Sequence, residues 1–437
     1  MMKSMTRTSV RTTKADGMAV ETLDTKRAEI QDNAVKAWQE AGMKGTVNLS
    51  TGIGKTFCFL KACRLLPKGS KVLFLAETTQ REFDLMKDIE FFSKVYGWDL
   101  RENHSLTFAC YQSVYKWENT EWDLVCADEI HSSLTPVYGM FYRNNKYGAI
   151  LGLSATIDRG TTYTIDEQEI DKGMMVDTIA PVCFRYTLNE AVADGTAKKL
   201  RMFIIYHQLD DTKKNVPGGS KANPFMTTEK AGYDYWDSEF RRTLFLPDGQ
   251  KKLFRIRTTS AARAKILYNL PSKIEGVRLL LDELQGKTLV FGNSIEALSQ
   301  ITPNVISNKN TEKKNQKIRE DFDNGTIDTV GSFKMLKQGA NLKDLDNTIL
   351  MSYYSKELDM IQVIGRQRVS EKTGNVFIYM TLGTQEVKWY KKAMENITNY
   401  EEIYCNGTED CIKKYRLLVE QETGSTAQED AEKERVA

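Results

Sequence analysis

A junction restricts this chain more than any other feature. Residues 47–57, VNLSTGIGKTF, pass from a β-prone stretch (Val47, Asn48, Leu49) through a turn of small residues into a helix-compatible run. A strand that feeds a helix through so short a turn belongs to an α/β unit with parallel strands. Gly52 and Gly54 permit a tight backbone path that aims N–H groups at one spot, and such a cradle suits phosphate oxygens. Thr51 lies in the same turn. Lys55 follows with the reach to meet β- and γ-phosphates, and the Thr56 hydroxyl is placed to ligate Mg²⁺. The first glycine of the general GxxxxGK[ST] form is absent, and Leu49 stands there.

The rest of the chain repeats the alternation. An amphipathic helix is expected over 22–41, with Ile30, Ala34, Val35 and Trp38 on one face. KVLFLA (71–76), LTFACY (106–111), DLVCAD (123–128) and AILGLS (149–154) are near-continuous apolar runs, as expected of strands buried on both faces. A helical stretch at 81–96 separates the first two. The pattern stops near Arg159 and resumes at KTLVFGNS (287–294), with a helix expected at 311–323 and strands at 326–332, 347–352 and 375–380. Within 182–206 the pattern predicts a strand, a helix and a returning strand, and residues 208–262 read as an irregular, loop-like insert. The predicted layout is an arm at 1–20, a first lobe at 21–186, a second at 187–400, and a C-terminal extension with an acidic tail at 401–437.

Composition sets limits on function. Of 437 residues, 41% are hydrophobic and 27% charged, as in soluble globular proteins, and the formal net charge is +2. A polyanionic partner must then meet a local basic surface. No apolar run reaches the roughly 18 residues of a membrane span. The basic, Ser/Thr-rich start and the acidic end both read as disordered. Seven scattered cysteines without a CxxC fit a reducing cytosol, and three histidines argue against a zinc centre. Cys405 and Cys411 read as unpaired thiols.

A phosphate loop needs an acid to hold Mg²⁺ and a base to activate water. DLVCADEIH supplies both at the end of an apolar run. Asp128 is placed to bind Mg²⁺ and Glu129 to act as the base. Asp-Glu-Ile-His together with LSTGIGKT resembles the DExH branch of superfamily-2 helicases and translocases. More of that pattern follows in order: Gln31 upstream of the loop, LAETTQ (75–80), CYQS (110–113), LGLSATIDR (151–159), LVFGNS (289–294), VGSFKMLKQGANLKDLD (330–346) and IGRQR (364–368). NEAVADG and the GTQEVKW run (383–389) bring the resemblance nearest to phage UvsW-type DNA helicases.

The resemblance implies an α/β fold of two tandem RecA-like parallel-sheet lobes, with the ATP site in the cleft between them. It implies ATP and Mg²⁺ as cofactors, adenine read by Gln31, and Ser154 and Thr156 coupling hydrolysis to lobe movement. Arg366 is the expected finger on the γ-phosphate with Arg368 second, and Gln362 lies near the nucleotide. Backbone-directed contacts to nucleic acid are expected from Thr78, Thr79, Gln112, Ser113, Asn293, Ser294 and Ser332. The implied activity is ATP-driven unwinding or remodelling of single-stranded or branched DNA, in replication, recombination or repair, in a cytoplasm (that of the host, if phage-encoded).

Relatives often space the last two arginines as R-x-x-R, whereas Val369 stands in the second place here. The segment 249–265 carries six basic residues and no acid, and Arg255 and Arg257 are expected to contact nucleic acid. Trp236 is either a stacking residue or a core anchor. Three alternatives remain: an RNA helicase of the same superfamily, a terminase-type packaging ATPase with a nuclease after residue 200, and a nucleic-acid-binding scaffold with a dead ATPase.

Overall fold

The structure is a computed structural model that describes residues 14–50, 52–115, 117–135, 137–155, 162–165, 168–196, 200–219, 223–333, 345–352, 374–394 and 400–436. It divides into two compact units, residues 1–197 and 198–437.

In the first unit the apolar runs form β1 (Lys44–Leu49), β2 (Lys71–Ala76), β3 (Ser105–Cys110), β4 (Glu121–Asp128) and β5 (Lys146–Ser154). A small antiparallel hairpin follows, β6 (Thr162–Ile165) with β7 (Gln168–Asp171), and then β8 (Val182–Tyr186). The main sheet has the order β3-β2-β4-β5-β1-β8, and every pairing in it is parallel. Continuous apolar strands demand cover on both faces. The helices Lys14–Glu40, Lys55–Cys63 and Gln80–Tyr96 contribute to one core, around Trp38, Phe59, Phe74 and Phe92. Trp38 is fully buried, and its indole N–H donates to the Ile150 carbonyl at 2.8 Å, fixing the first helix to β5. A second core around Tyr111, Phe141 and Ile150 covers the other face.

The second unit contains β9 (Leu200–His207), a hairpin of β10 (Val216–Gly219) and β11 (Pro224–Thr227), then β12 (Lys287–Gly292), β13 (Val305–Ile306), β14 (Thr329–Phe333), β15 (Leu345–Leu350), β16 (Gly374–Thr381) and β17 (Glu401–Cys405). Its main sheet is also parallel throughout, in the order β13-β14-β12-β15-β16-β9-β17. Residues 200–405 thus build a second α/β sheet, as the two-lobed expectation requires.

Four expectations change. The strand at 200–207 does not return beside β8. It joins the other sheet, between β16 and β17, and its continuous apolar sequence suits a strand covered on both faces. The insert 208–262 is not loop-like. It contains helices Glu229–Leu244 and Gln250–Tyr268, the first capped by the Thr228 hydroxyl on Ala231 N. Charged i,i+4 pairs such as Lys230–Asp234 mask their amphipathic pattern. The first helix starts at Lys14, inside the expected arm. The acidic end belongs to a helix, Thr408–Val436, whose Glu, Gln, Ala, Lys and Arg favour that conformation.

The C-terminal stretch is also not an appendage. β17 pairs with β9, and Cys405 and Cys411 pack as free thiols in the second core beside Phe377 and Tyr379. No helix among the described residues is long and apolar enough to cross a membrane.

Candidate nucleotide site

In a parallel sheet all carboxyl ends lie on one edge, and ligand-binding residues gather there. The turn after β1, the Asp128-Glu129 pair after β4, and Ser154 at the end of β5 share that edge. β5 lies between β1 and β4, so Ser154 stands between the phosphate loop and the acids.

The loop has the shape of a cradle. Gly52 and Gly54 take positive φ, 87° and 93°, which an L side chain adopts only with strain. At Gly54 a Cβ would also come within 2.8 Å of Gln31 Nε2. Gln31 is buried and donates to the Ile53 carbonyl at 2.7 Å, so it braces the loop from behind. Helix Lys55–Cys63 begins at Gly54 with no side-chain cap, which turns its first N–H groups toward the loop. The buried Ser50 hydroxyl has no hydrogen-bond partner among the described residues. An uncapped helix start, an orphaned hydroxyl and two left-handed glycines are what a phosphate chain would satisfy, so ATP fits.

Two interlocked charge pairs fill the edge. Lys55 Nζ meets Glu129 Oε1 at 2.7 Å, and the Ser154 hydroxyl donates to Glu129 Oε2 at 3.0 Å. The buried His131 places Nδ1 3.0 Å from the same hydroxyl and 3.8 Å from Glu129 Oε2. Burial pushes the Glu129 carboxyl up. Lys55, His131 and the hydrogen bonds from Lys55 and Ser154 outweigh it and hold the group at about 2. Glu129 is therefore ionised throughout the neutral range. It has φ 50°, a left-handed backbone costly for a non-glycine residue, at the point where β4 ends.

The second pair is Asp128 with Arg81. Arg81 Nε donates to Asp128 Oδ2 at 2.6 Å, and its terminal nitrogen donates to the Thr56 hydroxyl at 2.7 Å. The Tyr111 hydroxyl donates to the Asp128 carbonyl. Asp128 and Thr56 are the two expected Mg²⁺ ligands, and a guanidinium bridges them. An oxygen pair that one cation already spans has the donor set for a hard divalent cation. Mg²⁺ bound there would neutralise phosphate charge, and Arg81 would have to yield the two oxygens.

The family described as Type III restriction enzyme, res subunit, matches residues 23–159, the stretch that holds Gln31, the loop and the Asp-Glu pair. DNA 3'-5' translocase XPB2 from Sulfurisphaera tokodaii is 22% identical over 379 residues, covering 84% of each chain. The chain is distantly similar to both. Among solved structures, S. cerevisiae Dbp5 bound to RNA and ADP BeF3 aligns with a TM-score of 0.56 at 11% identity, covering 90% of this chain and 92% of that one. The ATP-dependent Type ISP restriction-modification enzyme LlaBIII bound to DNA aligns with a TM-score of 0.55 at 13% identity over 86% of this chain. The match spans 31% of that enzyme's length. At these identities both likenesses establish the fold, two tandem RecA-like lobes.

Not every expected helicase residue enters the cluster. The structure brings together Lys55, Thr56, Asp128, Glu129 and Ser154, with Gln31, Gly52 and Gly54 around the loop. Thr51, Thr156, Gln362, Arg366 and Arg368 lie outside the described residues. The nucleic-acid candidates divide by environment. Thr79 and Gln112 are exposed and Thr78 is half-buried, with Gln112 tied to the Glu77 carbonyl at 3.1 Å. Ser113 closes a turn onto the Cys110 carbonyl at 2.7 Å. Asn293 is half-buried, and its backbone N–H donates to the Ser352 hydroxyl at 2.8 Å. Ser294 caps the helix Ile295–Ile301, and Ser332 is buried within β14.

Arg81 was not foreseen, although its signal is in the sequence. A cation in the first turn of a helix opposes the helix dipole, so it needs an anion elsewhere in the fold. Asp84 and Asp88 are nearer in sequence and hide that requirement.

Proposed function

We propose that this chain is an ATP-driven DNA motor that unwinds or remodels single-stranded or branched DNA, related in kind to the UvsW-type helicases and working in a cytoplasm. One observation carries the ATPase part: a strained, ionised Glu129 held between Lys55 and Ser154, beside the bridged pair Asp128 and Thr56. Lys55 and the loop N–H groups would hold phosphate, Thr56 and Asp128 would hold Mg²⁺, and Mg²⁺ would supply charge neutralisation there. Glu129 would orient water and take its proton. Ser154 and His131 would keep the carboxylate aimed. Arg366, with Arg368 second, would approach from the other lobe, with Gln362 close to the nucleotide and Thr156 beside Ser154 in coupling.

DNA is preferred to RNA because the relative matched along most of both chains is named a DNA translocase. The test is ATP hydrolysis by the full chain, alone and with single-stranded, branched or duplex DNA or with RNA. Stimulation by single-stranded or branched DNA is expected. Stimulation by RNA alone would reassign the substrate, and absence of hydrolysis under every condition would remove the motor.

A further inference from the structure

The second unit carries a feature that the nucleotide site does not use. Helices Glu229–Leu244 and Gln250–Tyr268 pack together as a pair joined by a five-residue turn, 245–249. Its root is fixed. The buried Glu229 carboxylate accepts from Ser272 N at 2.8 Å, from the Ser272 hydroxyl at 2.6 Å and from Asp210 N at 3.0 Å. Its middle is braced by Asp237 between Arg241 (2.7 Å) and Arg263 (2.6 Å). The tip, however, is open. Phe245 is 89% exposed and Phe254 67%. Large aromatic surface held out in water at the end of a braced arm lacks a reason within the fold.

The charge of the arm points to the partner. Residues 229–268 hold nine basic and five acidic side chains, an excess of four in a chain whose net charge is +2. The second helix has six of the basic residues and no acid. Phe254, Arg257, Ala261 and Lys265 recur at helical spacing and are all exposed, so they form one face. That face spans roughly 16 Å along the helix. Arg257 has no carboxylate within ion-pair distance among the described residues, whereas Arg255 is drawn to Glu239 at 3.5 Å. At the root end, the Asn269 side chain accepts a 2.5 Å hydrogen bond from Ser294, beside Asn293 in the loop after β12.

We propose that this face is a track for one nucleic-acid strand. The strand would run from the Asn293–Ser294 loop along Lys265 and Arg257 to the tip, where Phe254 and Phe245 stack on bases. The two cations, Arg257 and Lys265, match phosphates, and exposed aromatics at the end match unpaired bases. The inference rests on the nucleic-acid reading above and separates Arg257, which faces the track, from Arg255, which braces the arm.

The test uses the full chain and fluorescence anisotropy with labelled oligothymidine, oligouridine and a DNA duplex, over a range of salt concentrations. Arg257→Glu with Lys265→Glu should weaken single-strand binding and flatten the logarithmic salt slope by about 1.4. Phe245→Ala with Phe254→Ala should weaken it about tenfold with the slope unchanged. Arg255→Gln should change the affinity much less than Arg257→Gln. Thermal unfolding of each variant checks that the arm stays folded. Equal losses on the oligothymidine and oligouridine arms would assign the track to either kind of strand, and a loss on one alone would name it. Affinity and slope equal to wild type in both double variants would overturn the track while leaving the motor intact. A wild-type chain that binds none of the probes would overturn both.

Discussion

The two units each hold a lysine–glutamate pair, fully buried in one and half-buried in the other, and the pairs differ in what surrounds them. In the second unit Lys273 Nζ lies 3.1 Å from both Glu386 oxygens and from the Met351 carbonyl, with both side chains at most 1% exposed. Glu386 also accepts from the backbone N–H of Thr381 at 3.0 Å. Backbone groups saturate that pair, so it acts as a bolt between helix Pro271–Leu281, β16 and the helix Gln385–Ala393. In the first unit Lys55 and Glu129 are 15% and 21% exposed, and their partners are other side chains. Side-chain partners can be exchanged at little cost, whereas backbone partners cannot leave without unfolding. A buried ion pair is thus a fastening or a switchable site according to what satisfies its remaining valences.

The largest effect expected from this contrast is on turnover. Glu129→Gln should lower ATP hydrolysis by about 10²-fold or more and leave nucleotide binding in place, read by steady-state rates and by binding of a fluorescent analogue. Lys55→Ala should lose both. If Glu129→Gln hydrolyses ATP at the wild-type rate, the exchangeable pair is not the catalytic one.

Next in size is Lys273→Met. It leaves Glu386 charged in the second core and should cost about 3–5 kcal/mol, seen as an earlier denaturant midpoint. Adding Glu386→Leu should recover much of that loss. A mild effect of Lys273→Met alone would erase the distinction between the two pairs.

Arg81→Ala sharpens the comparison within the first unit. Removing the guanidinium that bridges Thr56 and Asp128 should lower, several-fold, the Mg²⁺ concentration needed for half-maximal binding of a nucleotide analogue. An unchanged Mg²⁺ requirement would mean that Arg81 does not compete for those oxygens.

A further effect concerns pH. Burial, and then the Lys273 charge, hold His207 down at about 3, against 6.5 for the free side chain. Between those values the unfolded chain binds the extra proton, so stability rises with pH. His207's contribution should be complete above about pH 6.5 and be lost as pH falls toward 3. His207→Gln should flatten this slope in denaturant titrations.

Much of the site was legible in the sequence because its parts are local. A strand, a Gly-rich turn and Lys55-Thr56 adjoin one another, and so do an apolar run and Asp128-Glu129, and in a parallel sheet such strand ends share one edge. Arg81 was not legible. Its partners are 25 and 47 residues away, and nothing in the neighbouring sequence names them. The same holds for Glu229 and Ser272, 43 residues apart, which anchor a pair of helices that the sequence pattern presented as a loop.

The strand–helix alternation, the positions of the Gly-rich turn and the acids, and the existence of two such blocks could all be read from the sequence. Apolar periodicity and turn chemistry act over a few residues, so they are written locally. Which strands are neighbours depends on the folded sheet. β9, the first strand of its unit, lies between the last two, β16 and β17. A buried strand's pattern records that both its faces are covered but not which strands pair with its edges, and that choice is made by the packing of the whole sheet.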